Sequence, residues 1–437
     1  MSKKQDTPAF NIDELIFPKD FVWGSATAAH QVEGNQNNQL TQFEKDNANR
    51  FASEAEAKLK NIVPNWDLIK PMATDPNNYI SGKAVDQYNL YNSDIQLMKQ
   101  MKLNSYRFSI EWSRIEPVPG QFDKKEIDHY KKLIAALRAN GIEPFVTLWH
   151  RSEPVWILEQ GDWENSKTIE SYTAFVEYVA QQLGPDVKYW VTFNEPILHV
   201  VAGFMEGSIP PEVKSFRRGL KVLDNMIEAH KQAYDVLHKY DSDAIVGSTQ
   251  AMQIGSASPN TLANQLLSSY LNHVTNEKFF DETKDQSDFL GIQYYGTTLF
   301  ALDFGKHIVK LKAYENTEAA VRSDAGREVY PYGIYELLKQ TFERYHKPII
   351  ITENGIADIQ DTLRADYIKN HLYWVKKAID EGIPVKGYIH WSLIDNFEWT
   401  SGYWPQFGLI SVDRTTLKRT IRPSALIYKQ IIEQSQK

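Results

Sequence analysis

Residues 188–196 read KYWVTFNEP, and this stretch shows the pattern that recurs along the chain. Five of its first six residues are aromatic or β-branched, the types enriched in β-strands. Asn194, Glu195 and Pro196 follow, and the proline ends the strand. Burying a carboxylate at the end of an apolar strand costs free energy. The stretch therefore predicts a buried strand that presents Glu195 for a reason other than folding.

Seven further apolar runs are spaced along the chain, and helical patterns separate them. They cover residues 21–27, 105–110, 143–149, 244–250, 289–295, 348–354 and 385–391. Near-continuous apolarity is typical of strands that are covered on both faces in a parallel sheet. Eight strands alternating with helices predict an α/β fold, a single (β/α)8 TIM barrel with long loops at its C-terminal face. A doubly wound open sheet is the alternative, but the chain has no Gly-rich phosphate loop.

The sequence predicts one domain over residues 10–435, preceded by a polar tail at 1–9. Residues 35–82 are polar, rich in asparagine, and follow the first strand. In a barrel this insertion lies at the C-terminal face, where it is either a solvated rim or part of a pocket wall. A second long insertion, at about 296–332, follows the sixth strand.

The composition excludes several classes of protein. A formal net charge of -8 gives the chain no general attraction to nucleic acid or anionic membranes. Without cysteine it forms no disulfide and has no thiolate chemistry. The segment MSKKQDTPAFNIDE lacks the apolar core of a signal peptide, and no stretch is apolar for the length of a spanning helix. We therefore expect a soluble, cytoplasmic protein without a nucleic-acid or membrane partner, and the sequence makes no prediction of oligomeric state.

Polar and aromatic residues cluster where the predicted strands end. In (β/α)8 barrels, active sites form at this C-terminal face. The residues there are Gln31, Arg107, His150, Arg151, Asn194, Glu195, Tyr295, Glu353, Trp391, Glu398 and Trp399. Aromatic rings pack against the C–H faces of sugars, and amide, imidazole and carboxylate groups pair with hydroxyls. Two carboxylates on opposite sides of a barrel suit the hydrolysis of a glycosidic bond.

The chain has no motif for a metal or a cofactor, and we predict neither. His230 and His238 are eight residues apart on one predicted helix, which is not a ligand spacing, and no H-E-x-x-H occurs. There is also no G-x-x-x-x-G-K-[ST] loop and no G-x-G-x-x-G after a strand. An aldolase, another enzyme that uses a barrel, would need a lysine at a strand end, and none of the eight runs ends in lysine.

Seven motifs occur in order along the chain and resemble those of one family. They are AAHQVEG (28–34), YRFSIEWSRI (106–115), TFNEP (192–196), DFLGIQYY (288–295), ITENG (351–355), WSLIDNFEW (391–399) and FGLISVD (407–413). On these motifs the chain resembles glycoside hydrolase family 1, the retaining β-glucosidases and β-galactosidases. The resemblance runs from about Phe17 to the C-terminal helix.

The resemblance implies the catalytic roles. Glu353 would be the nucleophile and Glu195 the general acid and base, with carboxyl groups about 5–5.5 Å apart as retention requires. Two negative charges at that separation disfavour each other, so one pKa rises. Arg107 and Tyr295 would favour ionised Glu353, and Glu195 would then hold the proton.

The resemblance also implies the residues that hold the sugar, and no cofactor. Asn194 would hydrogen-bond the C2 hydroxyl, an interaction that strengthens in the transition state. Trp391 would form an aromatic floor. The remaining expected substrate-binding residues are Gln31, His150, Glu398, Trp399 and Phe407.

Some positions depart from the family's pattern and bear on specificity. Arg151 stands where tryptophan is usual, and Gln293 where asparagine is usual. Arg151 could attract an anionic glycon, but we favour a side chain that turns away and pairs with a neighbour such as Glu153. The branch of the family that acts on phosphorylated sugars has a lysine near position 405 and a small polar residue near 398. Pro405 and Glu398 stand there instead, so we expect unphosphorylated glycosides.

The sequence thus predicts a retaining, exo-acting β-glycosidase for small β-glycosides. β-Glucosidase is the favoured activity, with β-galactosidase and β-fucosidase as further options. A transglycosylating enzyme is an alternative, because both reactions use the same residues. A non-catalytic sugar-binding barrel is a second alternative, disfavoured because Glu195 and Glu353 are both present.

Overall fold

Eight parallel strands close into a barrel in the order of the chain. The computed structural model describes residues 6–257, 261–303, 308–313 and 321–436. The barrel strands are β1 Val22–Ala26, β2 Ser105–Ser109, β3 Glu143–Trp149, β4 Tyr189–Asn194, β5 Ile245–Ala251, β6 Phe289–Tyr294, β7 Ile349–Asn354 and β8 Val385–Trp391. All eight coincide with the apolar runs, so the predicted (β/α)8 barrel is confirmed.

Helices follow the strands around the outside of the barrel. The longer ones are Gln87–Gln100, Lys124–Ala139, Lys167–Leu183, Phe216–Tyr240, Leu262–Asn272, Tyr332–Tyr345, Arg364–Asp380 and Pro423–Ser435. Helix Lys167–Leu183 shows why they form, because it buries Tyr172, Phe175, Val176 and Val179 at three- and four-residue spacing. Shorter α-helices are Ala29–Val32, Trp112–Ile115, Val155–Glu159, Pro196–His199 and Lys278–Thr283.

The apolar strands divide their side chains between the barrel interior and the helical layer. In β4, Val191 joins an interior cluster with Phe145 and Phe289. Strict alternation from Val191 would place Phe193 inside and Asn194 outside. The pairing of β4 with β5 shifts register between Val191 and Asn194, however, and Phe193 packs against Trp163 outside the barrel. The shift returns the Asn194 side chain to the interior, where it contacts Arg107.

The insertion at residues 35–82 forms part of the wall at the C-terminal face, as the pocket-wall alternative predicted. It contains the helices Gln39–Leu59 and Trp66–Ala73. The Gln39 side chain donates from Nε2 to the Arg151 carbonyl at 2.9 Å and accepts from the Glu153 amide at 2.8 Å. The insertion therefore holds the loop that follows β3, and it is more than a solvated rim.

The insertion after β6 is described in part. Its strands Thr297–Asp303 and Ile308–Ala313 join Ile254–Ala257 in a small three-stranded sheet. Residues 304–307 and 314–320 of this insertion lie outside the described residues, as do residues 1–5 of the predicted tail. Two short strands, Ile410–Val412 and Arg419–Ile421, pair before the last helix. Among the described residues, no helix has the length and apolarity needed to cross a membrane.

Candidate active site

The Glu353 carboxyl is held by three hydrogen-bond donors at the C-terminal face. The residue lies near the end of β7 and is 3% exposed. Arg107 donates to its Oε1 at 2.6 Å, Gln293 donates to the same oxygen at 2.8 Å, and Tyr295 donates to Oε2 at 2.6 Å. Burial raises the pKa of Glu353, while the charge of Arg107 and the hydrogen bond from Tyr295 oppose that rise. These contacts stabilise the ionised carboxylate.

Arg107 donates hydrogen bonds to residues of three other barrel strands, β3, β4 and β7. From β2 its Nε donates to Thr147 Oγ1 at 3.1 Å, and its Nη2 donates to Asn194 Oδ1. Its Nη1 also reaches the Thr352 carbonyl at 3.3 Å. A planar guanidinium with several fixed acceptors is well suited to orient a carboxylate. The structure thus places both predicted supporting residues, Arg107 and Tyr295, on Glu353.

Gly355 shows why a glycine closes the ITENG stretch. A Cβ at this position would lie 1.7 Å from the Trp391 carbonyl oxygen. The chain after β7 therefore approaches the end of β8 more closely than any side chain permits. This close approach brings Glu353 and Trp391 to the same side of the barrel mouth.

Glu195 has surroundings that differ from those of Glu353. It follows β4 with φ 49 and ψ 52, a left-handed conformation that is strained for a non-glycine residue, and Pro196 begins a short helix after it. The residue is 7% exposed, and its carboxyl has no hydrogen-bond donor among the described residues. Burial and the negative charge of Glu353 raise the pKa of Glu195 to about 8, against the opposing charges of Arg151 and Arg327. Glu195 therefore holds a proton at neutral pH.

Asn194 shares two hydrogen-bond donors, Arg107 and Gln293, with Glu353. Its Oδ1 accepts from Arg107, from Gln293 at 2.7 Å and from Thr249 at 3.1 Å. Its Nδ2 has no partner among the described residues, although it is buried. The amide is therefore oriented by its oxygen and has its N–H groups free to donate to a ligand.

Gln31, His150 and Glu398 supply further polar groups. Gln31 donates from Nε2 to Glu398 Oε2 at 3.4 Å and to the Phe397 carbonyl at 2.7 Å, which leaves its buried Oε1 without a partner in the described chain. Burial raises the pKa of Glu398 to about 7. Burial and the charges of two arginines, Arg107 foremost, hold the pKa of His150 well below its usual range, so the ring is neutral.

Aromatic rings form the apolar surface of the site. Trp391 belongs to the interior cluster, and Tyr295, Trp399 and Phe407 pack against it. The His150 ring lies 5.9 Å from Trp391 and 6.0 Å from Trp399, centroid to centroid. The structure therefore gathers the predicted aromatic residues around the polar groups, in the mixture expected of a sugar site.

The expected pairing of Arg151 with Glu153 is wrong. Glu153 is fully buried, and its Oε2 accepts the indole N–H groups of Trp149 and Trp163, each at 3.0 Å. Arg151 instead places its Cζ 5.0 Å from the centre of the Trp399 ring. Adjacency in sequence suggested the pair, but the fold puts the carboxylate beneath the loop and the guanidinium in the site.

Arg327 is a site residue that the sequence did not predict. Its Cζ lies 5.5 Å from the centre of the Tyr295 ring, and its charge lowers the pKa of Glu195 and of Glu398 against the effect of burial. Arg327 lies in the insertion after β6. The sequence pointed to site residues at the ends of the predicted strands, so it did not identify this residue. Thr249, in the C-terminal part of β5, was also missed, although polar residues there are typical of barrel sites.

Two clusters of the described residues have the geometry to hold a metal ion, and neither includes a predicted site residue. They are Glu153 with Asp162 and His199, which are buried, and His273 with Glu277 and Asp281. Burial and the charge of Asp162 raise the pKa of Glu153 well above its usual range. Protonation of Glu153 accounts for the buried cluster without an ion.

Comparison with known proteins agrees with this geometry. The chain matches the family model "Glycosyl hydrolase family 1" over residues 14–283 and 256–437. It is 32% identical to beta-glucosidase A of Acetivibrio thermocellus, over 97% of this chain and 99% of that protein. The structure is similar to a beta-glycosidase from Pyrococcus horikoshii, with a TM-score of 0.84, 33% identity and 96% of each chain covered. It is also similar to a beta-glucosidase from Thermotoga maritima in complex with glucoimidazole, with a TM-score of 0.81, 27% identity, and 96% and 99% covered.

Proposed function

This chain belongs to glycosyl hydrolase family 1, and on that premise we propose that its retaining β-glycosidase reaction uses Glu353 as nucleophile and Glu195 as acid and base, with β-glucosides preferred. The observation that carries the assignment is the contrast between the two carboxyl groups. Arg107, Gln293 and Tyr295 all donate to Glu353, whereas the Glu195 carboxyl has no donor among the described residues. Two carboxyl groups with different surroundings can divide the roles of acid and nucleophile.

In the first step, Glu353 attacks the anomeric carbon and forms an ester with the sugar. The bond from that carbon to the departing oxygen breaks, and Glu195 gives its proton to this oxygen. The Asn194 Nδ2 group, which has no acceptor in the described chain, donates to the C2 hydroxyl. Because charge develops on the sugar ring in the transition state, this hydrogen bond strengthens as the reaction proceeds.

In the second step, Glu195 acts as a base. Esterification removes the negative charge of Glu353, which is one of the two causes that raise the pKa of Glu195. The pKa of Glu195 therefore falls in the intermediate, and its carboxylate can take a proton from water. The water oxygen attacks the anomeric carbon, and Glu353 leaves as a carboxylate.

We expect kcat/KM for a phenyl β-glucoside to fall as the pH rises through about 8. Glu195 donates only while protonated, and its pKa of about 8 sets this limit. Replacing Glu195 by glutamine removes the titrating group, so the residual kcat/KM of this variant should be independent of pH between about 7 and 9. A basic limb that persists unchanged in the variant would assign the ionisation to another group.

The first-formed anomer tests the proposed reaction. During hydrolysis of para-nitrophenyl β-glucoside, proton NMR should detect β-glucose before mutarotation yields the α-anomer, because two inversions give net retention. Early α-glucose would contradict the mechanism. Chromatography of the products at high substrate concentration then separates hydrolysis from transglycosylation, since transfer to a second glucoside yields larger glycosides.

A further inference from the structure

Arg151 brings a positive charge into the site. Among the described residues, no carboxylate forms an ion pair with this charge. Its side chain is half-buried, and its guanidinium lies over Trp399. Its buried Nε has no acceptor, and among the described residues no carboxylate lies within ion-pair distance of it. A ring beneath a guanidinium occupies only its face, so the N–H edge stays available for a ligand.

Arg327 brings a second positive charge to the same site from the insertion after β6. Its side chain is exposed, and its guanidinium lies over the ring of Tyr295, whose hydroxyl donates to Glu353 at 2.6 Å. Tyr295 and Trp399, the two rings beneath the arginines, both pack against the interior cluster. Against the effect of burial, the charges of Arg151 and Arg327 both lower the pKa of Glu195 and the pKa of Glu398, so both guanidinium groups lie near the same two carboxyl groups.

The charges of the pocket do not cancel. Glu353 is balanced by Arg107, which contacts it at 2.6 Å. Burial and Glu353 raise the pKa of Glu195 to about 8, so that this carboxyl is neutral, and burial raises the pKa of Glu398 to about 7, so that it is ionised only in part at neutral pH. Among the described residues, neither Arg151 nor Arg327 has a carboxylate within ion-pair distance, and Glu353 is already paired with Arg107. An anionic ligand group would remove the imbalance.

We propose that the glycoside accepted by this site carries a carboxylate, which Arg151 and Arg327 bind. The inference rests on the proposed function and names the substrate class for it. A carboxylate matches the planar donor edge of a guanidinium, and hydrogen bonds to charged groups are stronger than neutral ones. The carboxylate can belong to the aglycon of a β-glucoside. It can instead belong to the sugar, in which case a β-glucuronide replaces the β-glucoside as the preferred substrate, and the two sources are separable by experiment.

The test compares kcat/KM within two pairs of substrates. The first pair is para-nitrophenyl β-glucuronide and para-nitrophenyl β-glucoside, which differ in the sugar. The second is carboxymethylphenyl β-glucoside and its amide, which differ in the aglycon and have similar leaving groups. We expect the charged member of one pair to be preferred by about tenfold or more, the gain from a charged hydrogen bond. The pair that shows the preference identifies the source of the carboxylate.

Variants assign the preference to the two arginines. Arg151→Gln and Arg327→Gln should each lower the ratio of charged to neutral kcat/KM about tenfold. Arg344→Gln is the matched control, because Arg344 stands in the last turn of the helix before β7, at the opposite end of the barrel. It should leave the ratio unchanged. If either site variant fails to fold, the salt dependence of the wild-type ratio replaces it, since screening should weaken the preference.

The outcomes separate this inference from the proposed function. If the neutral glucoside is hydrolysed with retention and neither charged substrate is preferred, the inference is overturned and the proposed function stands. If no member of either pair is hydrolysed, the proposed function fails and the inference fails with it. A preference that survives both arginine substitutions would also overturn the inference.

Discussion

Replacing Glu353 by glycine should lower kcat for para-nitrophenyl β-glucoside by roughly 10⁴- to 10⁶-fold, the range for loss of a covalent nucleophile. The substitution removes the atom that bonds the anomeric carbon and leaves Arg107, Gln293 and Tyr295 without their shared acceptor. The loss should appear in kcat, because no covalent intermediate can form. Steady-state rates and the absence of a burst with a dinitrophenyl glucoside measure it.

Glu212→Gly is the matched control for this substitution. Glu212 is exposed and has φ 57, a backbone conformation that glycine adopts without strain. Its kcat should stay close to that of the wild type. Azide added to the Glu353→Gly variant should yield an α-glycosyl azide, since the anion attacks from the face that Glu353 vacates. Near-normal hydrolysis by Glu353→Gly would show that another group is the nucleophile.

The barrel could be predicted from the sequence because each strand is marked by the residues of its own short segment. Each strand is a short apolar run, and the run at 385–391 matches β8, Val385–Trp391, at both ends. Strands covered on both faces need apolar residues at successive positions, whatever lies elsewhere in the chain. The register shift between Val191 and Asn194 could not be predicted from the residues of β4 alone, because it depends on how β4 pairs with β5.

The two catalytic carboxyl groups could be proposed from their sequence motifs. The positions of the arginines Arg151 and Arg327 around them could not be predicted. Glu195 and Glu353 stand at strand ends, where the topology alone brings side chains together. Arg327 reaches the site from an insertion, so its place depends on the path of a loop. Arg151 was mispredicted because the burial of Glu153 against two indoles is a property of the packed structure.

The environment of Gln293 shows how a departure from the family's pattern is accommodated. Its Nε2 donates to Asn194 at 2.7 Å, to Thr249 at 3.0 Å and to Glu353 at 2.8 Å. The side chain thereby links the nucleophile to the residue expected to bind the C2 hydroxyl. The sequence singled out this position, but only the distances show that the amide group keeps contact with both.

Replacing Glu195 by alanine should lower kcat/KM by about 10²- to 10⁴-fold for a phenyl β-glucoside, the usual contribution of a general acid. The loss should be far smaller for a dinitrophenyl glucoside, because that leaving group departs without a proton. The glycosyl-enzyme should then accumulate, since no base activates water, and azide should raise kcat and yield a β-glycosyl azide. Measured rates across leaving groups of graded pKa reveal this dependence.

Glu195→Gln separates loss of the proton from loss of the side chain. Glutamine fills the same space, so azide has no room to enter, and this variant should show the leaving-group dependence without the rescue. Neither variant should lose much stability, because among the described residues no donor is left unpaired when the Glu195 carboxyl is removed. An equal loss for all leaving groups would mean that Glu195 positions the substrate and transfers no proton. The raised pKa of Glu195 would then be a consequence of burial beside Glu353, without a catalytic use.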